Sequence, residues 1–416
     1  MSSFRRRQAC ALCRSGEASL VDVLRLPATP PANEFASEAS RASIQDTIPL
    51  TLVLCRSCGH LQLAEIVDPE RLFRRYVYVS GTSPVFVEHF RRYASDTISR
   101  FDLDRSSLVI EVGSNDGTLL QQYRAQGVEK VLGIDPAVDI AKAAEAAGVP
   151  TIASFFTPDL AQRVRSDHGT ATLACANNVF AHTEDIRGFA EGVRALLADE
   201  GVFVFEVSYL TDVIEKLLFD TIYHEHLAYH AVAPLARFFH SLDMRLFDAE
   251  RIDSHGGSIR CFACKRPSSH LETGRLRELI ASEERLGLFQ SGVYGDFARR
   301  IDERGAVLRE RLRSLRSAGK RIAGFGAPAK LTTLTYAFGI GSESIDFIVD
   351  DSPWKQGLYT PGTHIPVVTS ASLYEQQPDY CVIFAWNFAD TIIAKHAQYL
   401  ERGGHFIVPL PHLREV

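Results

Sequence analysis

The densest run of chemically capable side chains is Tyr223-His224-Glu225-His226, a phenol, two imidazoles and a carboxylate in consecutive positions. Histidine has the ordinary pKa nearest neutrality, so it is the default general base, and an adjacent carboxylate can orient its ring. If the segment is extended, His224 and His226 share one face while Tyr223 and Glu225 share the other; if it turns, all four can converge. Two histidines and a glutamate are also legitimate metal ligands, and a helix-capping loop with incidental histidines is the plain alternative. Two further segments could reach the same space, Asn177-Asn178-Val179-Phe180-Ala181-His182 and the glycine turn Ser254-His255-Gly256-Gly257-Ser258.

A second chemistry sits at the front of the chain. Cys10-Ala11-Leu12-Cys13 and Cys55-Arg56-Ser57-Cys58 each offer two thiolates on one side of a turn, and two such turns complete a closed tetrahedral zinc site with no open position for water. Zn2+ held by Cys10, Cys13, Cys55 and Cys58 is therefore expected to be structural, the alternatives being reduced core cysteines or a redox pair. The long separation of the pairs costs little, because loop-closure entropy grows only logarithmically. His60 is expected to be a neighbour and not a ligand. Cys261 and Cys264 lie in a strand pattern, where residues three apart face opposite ways; with Cys175 and Cys381 they read as core.

A third signal is Glu111-Val112-Gly113-Ser114-Asn115-Asp116-Gly117, between the apolar run Leu108 to Ile110 and the helical Thr118-Leu119-Leu120, with Gly133-Ile134-Asp135 further on. Strand, glycine turn, helix, second strand and terminal acid form a nucleotide-cofactor layout, the acid being placed to accept from a ribose diol. A pyrophosphate site would show Gly-x-Gly-x-x-Gly; here Asn115 and Asp116 occupy the tight part of the turn, and a second carboxylate suits a ligand with a cationic end. The pattern resembles motif I of class I S-adenosylmethionine (SAM) methyltransferases, which marks Glu111, Gly113, Asn115, Asp116, Gly117 and Asp135 as cofactor-binding. Asn177, at the carboxyl end of the fourth strand where open α/β sheets bind ligands, joins them.

The elements that must position these groups follow in order. Leu108 to Val112, Val131 to Ile134, Thr151 to Ile152, Thr172 to Ala176 and Gly201 to Val207 alternate with helical stretches, the pattern of a doubly wound, mostly parallel sheet. A helix begins near Ser83, Met244 to Leu246 and Ser258 to Ala263 can form an antiparallel edge hairpin, and a charged helical span from Leu271 to Gly319 leads on. A second nucleotide-like loop, Gly324-Phe325-Gly326-Ala327-Pro328-Ala329-Lys330, precedes Phe347-Ile348-Val349-Asp350-Asp351. Ala329 replaces the third glycine of the dinucleotide fingerprint, so a loop holding substrate phosphates, with Lys330 as countercharge, is favoured over a redox cofactor site.

Length and charge narrow the field. A chain of 416 residues exceeds one core and implies two or three domains, and a net charge of −6 argues against a dominant nucleic-acid surface. Arg5-Arg6-Arg7 lacks a following apolar run, and no long apolar stretch suits a membrane. The expectation is a cytoplasmic enzyme with no nucleic acid or membrane partner, as a monomer or weak homodimer.

Taken in order, the paired cysteines, Tyr76-Val77-Tyr78-Val79-Ser80-Gly81-Thr82-Ser83, Glu111 to Gly117, Asn177-Asn178, His182, Tyr223 to His226, His255-Gly256-Gly257 and Gly324 to Ala327 resemble the SAM-dependent sugar C-methyltransferases, makers of branched deoxysugars. The resemblance covers nearly the whole chain. It implies an α/β protein with a small zinc-binding domain over 1–75, a class I methyltransferase sheet with a helical lead-in over 76–270, and a linker helix with a Rossmann-like domain over 271–416 that helps hold the substrate. It further implies SAM as donor and, as acceptor, a keto-deoxysugar on a nucleoside diphosphate, typically dTDP, methylated beside its carbonyl. Carried over by motif are Tyr223, Glu225 and His226, with His182 and either Tyr76 or Tyr78. His226 is the expected base and Glu225 its orienting group, while Tyr223, His182 or the N-terminal tyrosine donates to the enolate oxygen. The rival readings are an NAD-dependent nucleotide-sugar oxidoreductase or epimerase and a zinc-ribbon RNA methyltransferase.

Overall fold

Leu108–Val112 is apolar but for one glutamate and buried at every position, the pattern of a strand covered on both faces. A computed structural model describes residues 3–73, 81 and 84–416, with the side chains of Pro84 and His255 outside it. Tyr76 and Tyr78 lie outside the described residues.

The N-terminal module contains β1 (Phe4–Arg6), β2 (Leu20–Thr29), β3 (Ile48–Cys55), β4 (Leu61–Leu63) and β5 (Glu65–Val67). The central region supplies β6 (Leu108–Val112), β7 (Lys130–Asp135), β8 (Thr151–Ala153), β9 (Ala171–Asn177), β10 (Leu197–Ser208), β11 (Ala228–Tyr229), β12 (Met244–Ile252) and β13 (Ser258–Lys265). The C-terminal region supplies β14 (Ile322–Phe325), β15 (Ile348–Val349), β16 (Val367–Val368), β17 (Tyr380–Ile383), β18 (His405–Val408) and β19 (Arg414–Glu415).

The central sheet runs β12-β13-β10-β9-β6-β7-β8. Strands β8, β7, β6, β9 and β10 are parallel, and β13 is antiparallel to both β10 and β12, forming the edge hairpin. Order reverses between β6 and β9, so their carboxyl ends diverge and leave a crevice there. Cys261 packs on one face of this sheet, while Cys264 and Cys175 pack on the other. The C-terminal sheet, β16-β15-β14-β17-β18-β19, repeats the plan, parallel except for β19; Cys381 lies in its core.

The charged span before it is two helices, Gly274–Leu286 and Gly292–Ser317. The first ends at Gly287, whose φ of 72° lies in the left-handed region where a side chain is disfavoured.

Two features tie the regions into one body. Strand β11, from the central part of the chain, completes the N-terminal sheet β11-β4-β3-β2, pairing Ala228 with Gln62 and Tyr229 with Leu61. One apolar core then runs from Leu52 and Leu63 of the N-terminal sheet through Leu210 and Ile222 to Leu308 of the long helix and Phe338 of the C-terminal domain. Hydrophobic burial thus couples the modules and not only their interiors. Among the described residues no helix is long and apolar enough to cross a membrane.

Candidate active site

At the crevice beyond β6 and β9 lies a cavity of about 520 Å³, lined by residues of all three regions. Its acidic lining residues, Glu111, Asp135, Glu184 and Asp185, come from the central region; its lysines, Lys330 and Lys355, come from the C-terminal region. Glu184 is paired with Arg5 and Asp185 with Arg14 of the N-terminal module, so Glu111 and Asp135 are the lining carboxylates without an arginine partner among the described residues.

The loop after β6 is shaped by two left-handed residues, Gly113 (φ 72°) and Asn115 (φ 49°). A Cβ on Gly113 would stand 2.1 Å from Val179 Cγ2, so the backbone passes closer than any other residue allows. Asp135 accepts from the Asn115 amide at 2.9 Å and from the Ala137 amide at 2.9 Å, which locks its carboxylate at the cavity wall. Glu111 is buried, and burial, then Asp116 and Asp135, push its carboxyl well above the usual range. Neither Glu111 Oε2 nor the Asn177 carboxamide makes a hydrogen bond of ordinary geometry to a described residue. Buried polar groups of this kind fit a ligand with donors and positive charge, which SAM has and a dinucleotide pyrophosphate lacks. Asp116 and Gly117 are not among the lining residues. Asp116 instead accepts from Thr118 Oγ1 at 2.6 Å and from the Gly81 amide at 2.9 Å, so its carboxylate is engaged within and beside the loop.

The segment Tyr223 to His226 turns and does not extend. Its backbone is fixed by β11 and by the Leu227 and Ala228 amides, which both donate to Ala181 O. That bond brings the loop after β9 alongside, and the His182 and His226 rings stack at 5.0 Å, with Phe73 on the far side of His182 at 5.6 Å. His226 Nδ1 donates to Thr221 O at 2.7 Å, which leaves Nε2 as the lone-pair nitrogen of the neutral ring, and the Tyr223 hydroxyl donates to it at 2.9 Å. Burial, against the Thr221 carbonyl and aided by Lys330, lowers His226 to about 4. Both ring nitrogens are therefore engaged, and the orienting partner expected in Glu225 is the Thr221 carbonyl instead. Glu225 does not line the cavity; its Oε1 accepts from Asn33 Nδ2 at 2.7 Å. His224 points the other way, toward Ile48 O and Pro49 O at 3.2 and 3.3 Å, and is a tether to β3.

At the front of the chain the four expected sulfurs lie within 4.8 Å of one another, the only such group of potential ligands among the described residues. The pairs Cys10–Cys58 and Cys13–Cys55 are each 3.6 Å apart. A tetrahedron of sulfurs about 2.3 Å from zinc has edges of about 3.8 Å, so the set fits the ion. His60 stays outside it, stacked on His230 at 5.5 Å.

The second glycine loop opens into the same cavity through Pro328, Ala329 and Lys330. Asp350 accepts from the Ala327 amide at 2.6 Å and the Ser352 amide at 2.8 Å, as Asp135 does from its own loop. Lys330 donates to Asn387 at 2.8 Å, and Asp220, which faces it, accepts from Trp386 Nε1 at 2.6 Å. Sequence reasoning missed Asn33 and Lys355. Lys355 follows the second strand of the C-terminal sheet, at the edge where such sheets bind ligands, and that position was its available signal. Asn33 had none.

Comparison with known proteins covers almost the whole chain. Residues 10–73 match the family model described as "Putative zinc binding domain", 86–246 match "Methyltransferase domain", and 253–411 match "C-methyltransferase C-terminal domain". C-methyltransferase NovU of Streptomyces niveus is 36% identical over 407 residues, covering 98% of this chain and 96% of that protein. Similar solved structures include magnesium protoporphyrin IX methyltransferase of Synechocystis with bound SAM (12% identity, TM-score 0.32, 44% of this chain and 81% of that one). Another is a SAM-dependent methyltransferase of Clostridium acetobutylicum (10% identity, TM-score 0.35, 43% and 92%).

Proposed function

The chain belongs to the C-methyltransferase family, and from that premise we propose that it methylates the carbon beside the carbonyl of a keto-deoxysugar linked to a nucleoside diphosphate such as dTDP. It is a SAM-dependent enzyme with a zinc-binding N-terminal domain. The observation that carries the substrate assignment is the make-up of one cavity: the buried acids Glu111 and Asp135 from the central region, lysines from the C-terminal region, and the Tyr223–His226 pair in the same wall. Such a cavity suits a cationic donor and an anionic acceptor held together.

SAM, when bound, supplies a methyl group on a sulfonium that is already a good leaving group. Glu111, Asn115, Asp135 and Asn177 would hold it at the carboxyl ends of β6, β7 and β9, with Gly113 giving the close approach. His226 Nε2 takes the proton from the acceptor carbon, with Nδ1–H anchored on Thr221 O throughout. To reach Nε2, the acceptor displaces the Tyr223 hydroxyl, which becomes free to donate to the developing enolate oxygen. His182, stacked on His226, is the second donor toward that oxygen, and Lys330 meets the phosphates. A mass-spectrometric screen of nucleotide-linked ketosugars with SAM is expected to show a gain of one methyl, placed on carbon by NMR. Methylation of an oxygen, or of no sugar tested, sinks the proposal.

A further inference from the structure

Loops at the carboxyl edge of the C-terminal sheet meet the same short stretch of the central region that holds the proposed base. Strands β15 and β17 both pair with β14, from opposite sides. The chain leaves β14 for β15 and β16 and returns on the far side as β17, so the crevice of this sheet opens between β14 and β17. Its two loops are pressed together: a Cβ on Gly326, after β14, would stand 2.6 Å from Ala385 Cβ, after β17. Lys330 comes from the first loop and lines the cavity. Its Nζ donates to Asn387 Oδ1 at 2.8 Å and lies 5.2 Å over the Trp386 ring, both partners being residues of the second loop.

The central region holds that second loop at both residues. Trp386 Nε1 donates to Asp220 Oδ2 at 2.6 Å, and Asp220 is fully buried. A Cβ on Gly256 (φ 92°) would stand 2.2 Å from Asn387 Nδ2, so the glycine turn lets the central backbone close on this C-terminal side chain. Asp220 belongs to the turn Phe219–Thr221, and its two successors are engaged as well. Thr221 O accepts from His226 Nδ1 at 2.7 Å, and Ile222 O accepts at 2.6 Å from Thr333 Oγ1, in the helix that begins at Lys330. Three consecutive residues thus hold the indole under the Lys330 ammonium, the base, and the helix that carries the ammonium.

We propose that Asp220-Thr221-Ile222 is a spacer that fixes the separation of His226 Nε2 from Lys330 Nζ, so that an acceptor whose phosphate rests on Lys330 brings its α-carbon to the base. Asp220 and Trp386 are its positioning residues. This deepens the nucleotide-sugar assignment and rests on it. An ammonium carries three donors, so its bond to Asn387 leaves protons for a phosphate oxygen. The spacer then acts on the rate of deprotonation and not on the affinity for phosphate, because Lys330 and its partner Asn387 stay together in the same domain.

The test uses the full zinc-loaded chain with S-adenosylhomocysteine in the donor site. Deuterium exchange at the α-carbon of dTDP-linked keto-deoxysugars reads the spacer, and calorimetry with free dTDP reads the phosphate site. Trp386→Phe keeps a ring under Lys330 but removes the donor to Asp220. Exchange at saturating ketosugar is expected to slow about 10- to 100-fold, the cost of a misplacement of about 1 Å, with dTDP affinity, donor affinity and zinc content near wild type. Asp220→Asn keeps an acceptor oxygen for the indole and retains most of the rate. Asp220→Leu should match Trp386→Phe, and the two together should lose no more than either alone, because both break one bond. Exchange at the wild-type rate in Trp386→Phe, or a loss confined to dTDP affinity, overturns the spacer, and losses that multiply in the double variant overturn the positioning role. If wild type binds S-adenosylhomocysteine but exchanges none of the dTDP-linked ketosugars, the nucleotide-sugar assignment falls and the spacer with it.

Discussion

Replacing His226 with asparagine tests the proposed base, and the structure sets what the wild type must show beside it. The Nδ1–H bond to Thr221 O fixes the tautomer, and burial lowers the ring to about 4 from an ordinary 6.5. At pH 6 a histidine of ordinary pKa would be only about 24% neutral, whereas one at about 4 is ~99% neutral. Wild-type kcat/KM, which reports the free enzyme, should therefore stay flat from pH 8 to pH 6 where an ordinary base would lose about four-fold. Asparagine keeps the donor toward Thr221 but has no basic nitrogen, so turnover should fall by about 10²- to 10⁴-fold, or ~2.7 to 5.4 kcal/mol of barrier. The assay that isolates the step is exchange of the acceptor's α-hydrogen in deuterium oxide, followed by NMR with S-adenosylhomocysteine in place of SAM. Exchange in His226→Asn at the wild-type rate would refute the assignment, and a half-maximal pH near 6.5 in wild type would refute the burial argument.

Cys58→Ala removes one corner of the sulfur tetrahedron and is expected to release zinc and lower the melting temperature, because binding energy in a closed site is folding energy; metal analysis showing a fully loaded variant would exclude the four-cysteine site. Gly113→Ala introduces a methyl 2.1 Å from Val179 Cγ2 at φ 72°, so donor-probe affinity by calorimetry should drop at least about ten-fold alongside ~1 to 3 kcal/mol of stability. Glu283 is buried, accepts from the Val232 and Ala233 amides and Tyr209, and is raised by burial from 4.5 to about 7. Its folded pKa is above the unfolded one, so its contribution is full below about 4.5 and is lost as pH rises through about 7. Relative to Glu283→Gln, wild type should therefore lose up to about 3 kcal/mol between pH 4.5 and pH 8 in chemical denaturation, and parallel stability curves would contradict this.

Local chemistry was legible in the sequence where the signal was itself local. Each Cys-x-x-Cys turn carries half of a ligand set, and the stretch from Leu108 to Asp135 contains strand, turn, helix and acid in one unbroken segment, so both could be read without knowing the fold. The reading weakened where a side chain had a choice of direction. An extended segment would put His224 and His226 on one face and a turn would let all four side chains converge; the loop turns, yet it sends His224 to the carbonyls of β3 and leaves His226 in the cavity wall. Asp116 looked like a ligand-facing carboxylate because it sits in the glycine loop, but its oxygens accept from the Thr118 hydroxyl and the Gly81 amide and it does not line the cavity. Glu225 looked like the histidine's partner because it is adjacent in sequence, and adjacency along a chain says little about which of several nearby donors a carboxylate will meet.

The sequence by itself determined the paired cysteines that cluster, the glycine loop after β6 and the alternation of strands and helices that follows it, since each depends on contacts within a few tens of residues. Only the tertiary structure decided what surrounds the reacting groups. Strand β11 adds two residues to a sheet built some 170 positions earlier, and Asn33 of the N-terminal module donates to Glu225 of the central region at 2.7 Å while Lys355 of the C-terminal domain lines the same cavity as Asn33. No pattern marks such residues, because a long-range contact is selected by the packing of whole modules against a shared core and leaves no periodicity in the chain that supplies it.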